Sequence, residues 1–465
     1  MNRIKRNTKQ VLAVFAAVFM LLIGYLLYTY FFQGNRLANS YYNKRITQKS
    51  QEVVWGDIKD RNGEMLAVSR QKDGQWVRDY PYGKVTAHVV GYVDPKLGRA
   101  GIENSQATYL LGLNNGVLEQ AVQRFVFHEL HGNNVILTLD YRLQKAAYDA
   151  LGNRRGAVVA MDPRTGEVLA MVSKPDFDPN NLAALSDKDA LYNKALQGTY
   201  PPGSVFKVVT LASALENIQD IDSQTFTCNG YINVGDYKLS CSGNKAHGQL
   251  DITEALGVSC NTTFASIGLQ LGDKLLSQTA ETFLFNRTFA WDDMTVYASN
   301  FPKEEQITDD ELAKDAIGQG KVTVTPMHMA MITSAIANDG DMMQPRLVKA
   351  VENSRGRIIR RFNPKRYAHV TDKPIADEIT DMMVSVVTDG TGKSARISGV
   401  DVAGKTGTAQ AGGQQEDHAW FISFAPADNP SIAVAVIVEN AGTGGVQAAP
   451  VARKVMKQAL ILGYE

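Results

Sequence analysis

The apolar pattern of the chain opens with Val11 to Phe32, a run without a single charge. At 1.5 Å per residue such a run, if helical, spans the ~30 Å hydrocarbon core of a bilayer. A second apolar pattern has a different period. Val205, Val208, Val209, Ala212 and Leu215 recur at helical spacing, and Pro201, Pro202 and Gly203 forbid helix immediately before them. Ser204 is therefore predicted at a helix N-terminus.

Shorter apolar runs predict strands. Val53 to Ile58 and Met65 to Val68 flank Asp60-Arg61-Asn62-Gly63, whose Asn-Gly step signals a tight turn. Val135 to Leu139 reads as a strand, with Asp140 as cap of an amphipathic helix from Arg142 to Leu151. Ala157 to Met161 and Val168 to Val172 read as a hairpin of two buried strands. A mainly helical stretch is expected from about Leu182 to Met383, including an apolar helix from Met327 to Ala337. Strands return at Val400 to Ala403, Ala419 to Phe424 and Ile432 to Val438, before a last helix from about Ala449 to Leu462. Two early and three late strands around a helical insertion predict an α+β fold, one antiparallel sheet with helices packed on it.

Composition changes this picture at one end only. In 465 residues, 48 basic side chains balance 48 acidic ones, so no general affinity for nucleic acid is implied. Arg3, Lys5, Arg6 and Lys9 precede any acid, which places the N-terminus in the cytoplasm and the remainder outside. Tyr25, Tyr28 and Tyr30 suit the outer interface. The apolar run exceeds the roughly 7–15 residues of a signal-peptide core and no small-x-small site closes it, so an uncleaved anchor is favoured over a cleaved signal. The expected organisation is a tail at 1–9, an anchor at 10–32, a partly extended region at 33–132 and a larger domain at 133–465.

Three short patterns carry candidate chemistry. Ser204 and Lys207 lie three apart on one helical face, placing an amine within reach of a hydroxyl. Ser69/Lys72 and Ser242/Lys245 share the spacing, but neither opens an apolar helix. Ser259-Cys260-Asn261 sits between two helix-like stretches, where a hydroxyl and an amide either cap a helix or face the same cleft. Lys405-Thr406-Gly407-Thr408 follows Val402-Ala403-Gly404; a strand of this kind lets a substrate lie against its edge while cation and hydroxyls hold a carboxylate.

Ser-x-x-Lys, Ser-x-Asn and Lys-Thr-Gly in this order, behind one membrane anchor, resemble the penicillin-binding transpeptidases, specifically the monofunctional class B kind. The resemblance covers nearly the whole chain. It includes Gly56 to Gly63, although Trp55 stands where the family usually has Arg. It also includes Gly101-Ile102-Glu103, Thr138-Leu139-Asp140 with Leu143-Gln144, Pro201-Pro202-Gly203-Ser204, Ile317-Gly318-Gln319-Gly320 with Thr325-Pro326, and Ala403 to Ala409. The stalk is short for the family and neither a glycosyltransferase domain nor a C-terminal extension is expected.

The resemblance implies a penicillin-binding or serine β-lactamase-like domain with a five-stranded antiparallel sheet, carried on a pedestal at 33–132. It implies Ser204 as nucleophile, Lys207 as its base and Ser259 as proton relay. Asn261 would hold the substrate amide, Lys405, Thr406 and Thr408 the substrate carboxylate beside Gly407, and the backbone N–H groups of Ser204 and Thr408 the oxyanion. Expected ligands are stem peptides ending in D-Ala-D-Ala and β-lactams, with no cofactor. The expected partners are the membrane and a membrane glycan polymerase of the FtsW/RodA type. A carboxypeptidase, a β-lactamase or a non-enzymatic sensor or scaffold would keep the fold and change the task, although only about ten residues on the cytoplasmic side argue against a sensor.

Cys228, Cys241 and Cys260 form an odd set on the oxidising side of a membrane. Cys228 and Cys241 bracket a glycine-rich loop, which leaves a disulfide between them open. With His247 they could ligate zinc, but the spacing matches no familiar pattern, and no metal is expected. Cys260 reads as buried packing and His418 as structural.

Overall fold

The computed structural model describes residues 2–29, 53–116, 129–302, 307–410 and 415–464. Helix α1 spans Asn2–Tyr28, and its segment Asn7–Tyr28 is long and apolar enough to cross a membrane, with none of that apolar stretch buried. Tyr30 to Phe32, the end of the expected anchor, lie outside the described residues, as do 33–52 and 117–128 of the region at 33–132.

The centre of the large domain is a five-stranded sheet of β1 (Gly156–Met161), β2 (Val168–Lys174), β3 (Ala403–Ala409), β4 (His418–Ala425) and β5 (Ile432–Val438). Its order is β2-β1-β5-β4-β3, and every neighbouring pair is antiparallel. The sheet predicted from the apolar runs is thus present. One boundary differs. Val400 to Ala403 was expected as the third strand, yet β3 begins at Ala403 and runs through the Lys-Thr-Gly-Thr residues themselves, because their backbone pairs with β4 from Ala403↔Phe424 to Ala409↔His418.

Strand β5 is buried at every position, so it has no polar face. Alternation still decides where each side chain goes. Ala433, Ala435 and Ile437 join Val159, Trp420 and Ile422 in one core cluster, together with the helix Pro326–Ile336. Val434, Val436 and Val438 join Val158, Ala160 and Phe421 in the other, beneath the helices Tyr141–Leu151 and Ala449–Ile461. Helices cover both faces. Their starts follow the capping chemistry of the sequence: Asp140 accepts from the Arg142 N–H, and Thr325 accepts from the His328 N–H with Pro326 in the first turn.

The stretch from 182 to 383 is less helical than its pattern suggests. It contains the strands Phe226–Cys228, Tyr231–Val234, Tyr237–Ser240 and Gly248–Leu250, and also Val348–Glu352. Val348–Glu352 pairs with Asn134–Leu137, 211 or more positions upstream in the chain, so tertiary pairing rather than local preference makes it a strand. It belongs to a six-stranded sheet whose order is Ile358–Arg361, Val348–Glu352, Asn134–Leu137, Ile58–Lys59, Met65–Lys72 and Gln75–Asp79. Strands from both sides of residue 133 share this sheet, which ties the N-terminal region to the large domain.

Polar anchors reinforce the tie. The Asp60 carboxylate accepts from the backbone N–H groups of Asn62, Glu64 and Tyr141, at 2.7, 2.9 and 3.0 Å. Arg61 and Arg346 both pair with Glu167 on the turn before β2, at 3.1 and 2.7 Å. Glu103, for which local sequence supplies no role, is fully buried and paired with Arg78 Nε at 2.6 Å. The Arg78 guanidinium lies over Trp55 at 5.9 Å, so the residue that departs from the family pattern packs against a cation.

Removing Arg78 would take from a buried carboxylate the cation it is paired with. Arg78→Ala is expected to lower unfolding free energy by about 3–5 kcal/mol, and the double change Arg78→Ala/Glu103→Gln to recover part of that loss in chemical denaturation. Equal losses in the single and double variants would contradict the pairing.

Candidate active site

Ser204 sits in a single 3-10 turn, Gly203–Phe206, that leads directly into helix α2 (Lys207–Asn217). The turn is fixed by contacts that only glycine permits. Gly203 has φ +54°, and a Cβ there would lie 2.5 Å from the Thr408 carbonyl oxygen of β3. On the facing strand, a Cβ on Gly407 would lie 3.0 Å from both the Pro202 carbonyl oxygen and Val205 Cγ1. The backbone of Ser204 and the edge strand β3 are thereby held side by side. Trp420 Nε1 donates to the Pro201 carbonyl at 3.0 Å and ties the Pro-Pro-Gly segment to β4.

Ser259 lies just before helix α3 (Asn261–Thr282) and adopts φ +58°, a left-handed conformation that costs a serine energy. Its conformation brings its oxygens to two lysines. Lys207 Nζ donates to the Ser259 carbonyl at 2.9 Å, to Ser259 Oγ at 3.3 Å and to Asn261 Oδ1 at 2.8 Å. Lys405 Nζ donates to Ser259 Oγ at 2.9 Å and to the Thr406 carbonyl at 2.9 Å. Both lysines are completely buried. Asn261 is held in turn by its Nδ2, which donates to the Ser240 carbonyl at 3.0 Å.

Burial pushes Lys207 down to about 7. Lys405 is also driven well below the ordinary lysine range, first by burial and then by the charge of Lys207. Two ammonium groups around one hydroxyl disfavour one another, so a neutral amine is available near physiological pH.

The structure therefore brings together all three predicted segments. Ser204, Ser259, Asn261 and Thr408 are partly open to solvent, whereas Lys207, Lys405, Thr406 and Gly407 are buried. None of the three Lys207 hydrogen bonds goes to Ser204; they go to Ser259 and Asn261. Thr406 Oγ1 shares a 2.7 Å hydrogen bond with Thr391 Oγ1, and Gln319 Nε2 donates to the Thr408 carbonyl at 3.3 Å. Thr391 and Trp420 carried no local signal, since their partners are 15 and 219 positions away. His418 accepts from the Asn440 N–H and stands edge-on to Tyr200, a structural placement.

The open disulfide is not formed. All three cysteines are free thiols, with Cys228 Sγ 3.7 Å from Cys241 Sγ. Cys241 lies as near to Cys260 Sγ, at 3.8 Å, so the sulfurs form a cluster rather than a bonded pair.

A serine at a helix start, a buried lysine one turn on, a second serine between two lysines, and an edge strand for substrate define a serine acyltransferase. The chain matches the penicillin binding protein transpeptidase domain over residues 156–457 and the penicillin binding protein A dimerisation domain over residues 55–135. It is 32% identical to the peptidoglycan D,D-transpeptidase PbpA of Mycolicibacterium smegmatis, covering 98% of this chain and 99% of that one. It is 33% identical to the peptidoglycan D,D-transpeptidase MrdA of Acinetobacter baumannii, covering 82% and 66%. Among solved structures, penicillin-binding protein A of M. tuberculosis as a ceftriaxone acyl-enzyme complex superposes with TM-score 0.83 at 30% identity, covering 89% of this chain and all of that one. The protein belongs to the penicillin-binding transpeptidases, in their class B branch.

Two outcomes follow from the geometry. Acylation by penicillin is expected to fall about tenfold per pH unit below about 7, where Lys207 becomes protonated, and to level off above it; a rate flat from about pH 5 to 9 would contradict the role of the lysine pair. Gly203→Ala is expected to slow acylation at least about tenfold, because its Cβ cannot coexist with the Thr408 carbonyl; an unchanged rate would show that the turn and β3 need not touch.

Proposed function

We propose that this protein is a membrane-anchored peptidoglycan D,D-transpeptidase that cross-links stem peptides ending in D-Ala-D-Ala. The observation that carries the reading is the convergence of Lys207 and Lys405 on Ser259 Oγ, beside the turn that presents Ser204. The curated relatives named above are D,D-transpeptidases, and a neighbour has been solved as a β-lactam acyl-enzyme.

In this reading Ser204 Oγ attacks the carbonyl between the two terminal D-alanines while neutral Lys207 takes its proton. The oxyanion is held by the backbone N–H groups of Ser204 and Thr408; loss of one such donor costs about 2.7–4 kcal/mol in other acyl-transfer enzymes. Ser259 passes a proton to the leaving amine, the C–N bond breaks and D-alanine departs. Asn261 holds the peptide amide and orients Lys207. Lys405, Thr406 and Thr408 hold the terminal carboxylate against an edge kept narrow by Gly407. The amine of a second peptide then takes the acyl group, closing the cross-link and freeing Ser204. A β-lactam acylates Ser204 in the same way, but its leaving group stays tethered and the ester persists.

The topology belongs to the same proposal. Residues 1–9 stay in the cytoplasm, 10–32 cross the membrane, 33–132 form a pedestal, and 133–465 act outside. The pedestal and anchor fit a complex with a membrane glycan polymerase of the FtsW/RodA type, which would supply the strands to be joined.

The test is a synthetic stem pentapeptide offered with an acceptor amine. Released D-alanine should appear with an equal amount of cross-linked peptide, and Ser204→Ala should lower both at least about 10³-fold. D-alanine released without cross-link would favour a carboxypeptidase, rapid destruction of penicillin a β-lactamase, and no turnover of either a scaffold.

A further inference from the structure

Glu439 directly follows β5 and takes no part in the acyl-transfer steps. Its carboxylate gathers three donors. Oε1 accepts from Lys194 Nζ and, at 2.7 Å, from the Tyr200 hydroxyl, while Oε2 faces Arg155 Nε at 3.3 Å. The Lys194 and Glu439 side chains are each only 9% exposed, and Tyr200 is buried. Burial alone would raise the Glu439 carboxyl, but the hydrogen bonds from Lys194 and Tyr200 and the lysine charge outweigh it and hold the group below the ordinary glutamate range. Burial and the Glu439 charge push the Tyr200 phenol the other way, far above its usual range, which keeps it a donor.

A buried ion pair adds little net stability by itself, because desolvation offsets the attraction. Here it fixes the path of the chain. The two donors on Oε1 bracket the segment that leads to the nucleophile: Lys194 opens the short helix Lys194–Gln197, and Tyr200 stands four residues before Ser204. One oxygen thus closes the segment from 194 to 200 against the end of the sheet. Beyond it the backbone is bonded repeatedly. The Tyr200 N–H donates to the Val324 carbonyl at 3.0 Å, the Tyr200 carbonyl accepts from the Val324 N–H at 2.8 Å, Trp420 holds Pro201, and the Gly203 N–H donates to the Gly318 carbonyl at 2.8 Å.

The same residue is tied to the other lip of the site. The Glu439 N–H donates to the Arg155 carbonyl at 2.9 Å, and the next N–H, of Asn440, donates to His418 Nδ1 at 3.2 Å. His418 begins β4, pairs across to Ala409 just after Thr408, and stands edge-on to the Tyr200 ring with centroids 5.5 Å apart. Glu439 therefore lies where the support of Ser204 meets the support of Thr408.

We propose that Glu439, acting through the Tyr200 hydroxyl, is a positioning residue that sets the gap between the Ser204 and Thr408 N–H groups. An oxyanion donor acts only within about 2.7–3.1 Å of the place where the oxygen comes to rest, so a small shift of the Ser204 turn weakens the transition state far more than the first complex. The inference rests on the transpeptidase reading for the oxyanion roles of these two residues.

Tyr200→Phe removes one oxygen and keeps the ring against His418 and Trp420. Stopped-flow acylation of the detergent-solubilised full-length chain by penicillin separates the dissociation constant of the first complex from the acylation rate constant. The variant is expected to acylate Ser204 at least about tenfold more slowly, with the dissociation constant changed by less than about twofold. A peptide boronic acid, whose tetrahedral adduct on Ser204 puts an oxygen where the oxyanion forms, should lose affinity by the same factor. Glu439→Gln keeps an acceptor but not the charge and should also slow acylation; the double variant should be no slower than the slower single one, because both act through one hydrogen bond. Should Glu439→Gln fail to fold, Tyr200→Phe carries the test alone. An unchanged acylation rate constant in Tyr200→Phe would overturn this inference and leave the transpeptidase reading standing, as would single losses that add in the double variant. No Ser204 adduct on the wild-type chain would overturn that reading and the inference with it.

Discussion

Two lysine ammonium groups, both sealed from water, meet at one serine hydroxyl. Taking such a charge out of water costs several kcal/mol per ion unless acceptors surround it. Lys207 has three oxygen acceptors and Lys405 has two, yet neither has a carboxylate partner among the described residues. The charge is therefore only partly compensated, and both lysines are driven below the ordinary lysine range, Lys405 by burial and by the charge of Lys207. A serine beside an amine in that state has a base at hand, and a carboxylate arriving in the cleft finds a cation waiting. In the proposed mechanism, catalysis and substrate recognition draw on the same imbalance.

Much of the surrounding fold serves to hold that arrangement together. The five-stranded sheet is buried on both faces, so β3 at its edge is a rigid rail. The 3-10 turn carrying Ser204 presses against this rail through glycines, with Trp420 bonded to the Pro201 carbonyl two residues before Gly203. Ser259 is kept in a left-handed conformation on the opposite wall. Strain of about 1–3 kcal/mol at such a residue persists only where its neighbours determine it. The side chains of Cys228, Cys241, His247 and Cys260 lie together beside this loop.

The parts legible in the sequence are those written in local periodicity. The helix after Pro201-Pro202-Gly203 was legible because a break and an apolar period adjoin. Strands β1, β2, β4 and β5 were legible because their runs are short, apolar and bounded by turns. The Lys405-Thr406-Gly407-Thr408 strand was read from its residues too, but its start was placed at Val400 rather than Ala403, since the pairing with β4 that sets the boundary is not local. Val348–Glu352 was lost in a helical reading because its partner Asn134–Leu137 is remote in sequence. The three catalytic segments could be named individually, but not that Lys207 bonds Ser259 and Asn261, nor that Thr391 reaches Thr406. Cys228 and Cys241 were read as a pair, or with His247 as ligands, and Cys260 as packing, because spacing along the chain does not show that all four meet in space.

The most direct measurement is to react the protein with benzylpenicillin, digest it and locate the adduct by mass spectrometry. A single penicilloyl group on the peptide carrying Ser204, at one per chain and stable for hours, is the predicted result. An adduct on Ser259 or any other residue, or no adduct under conditions where the protein is folded, would contradict the assignment of Ser204 as the nucleophile.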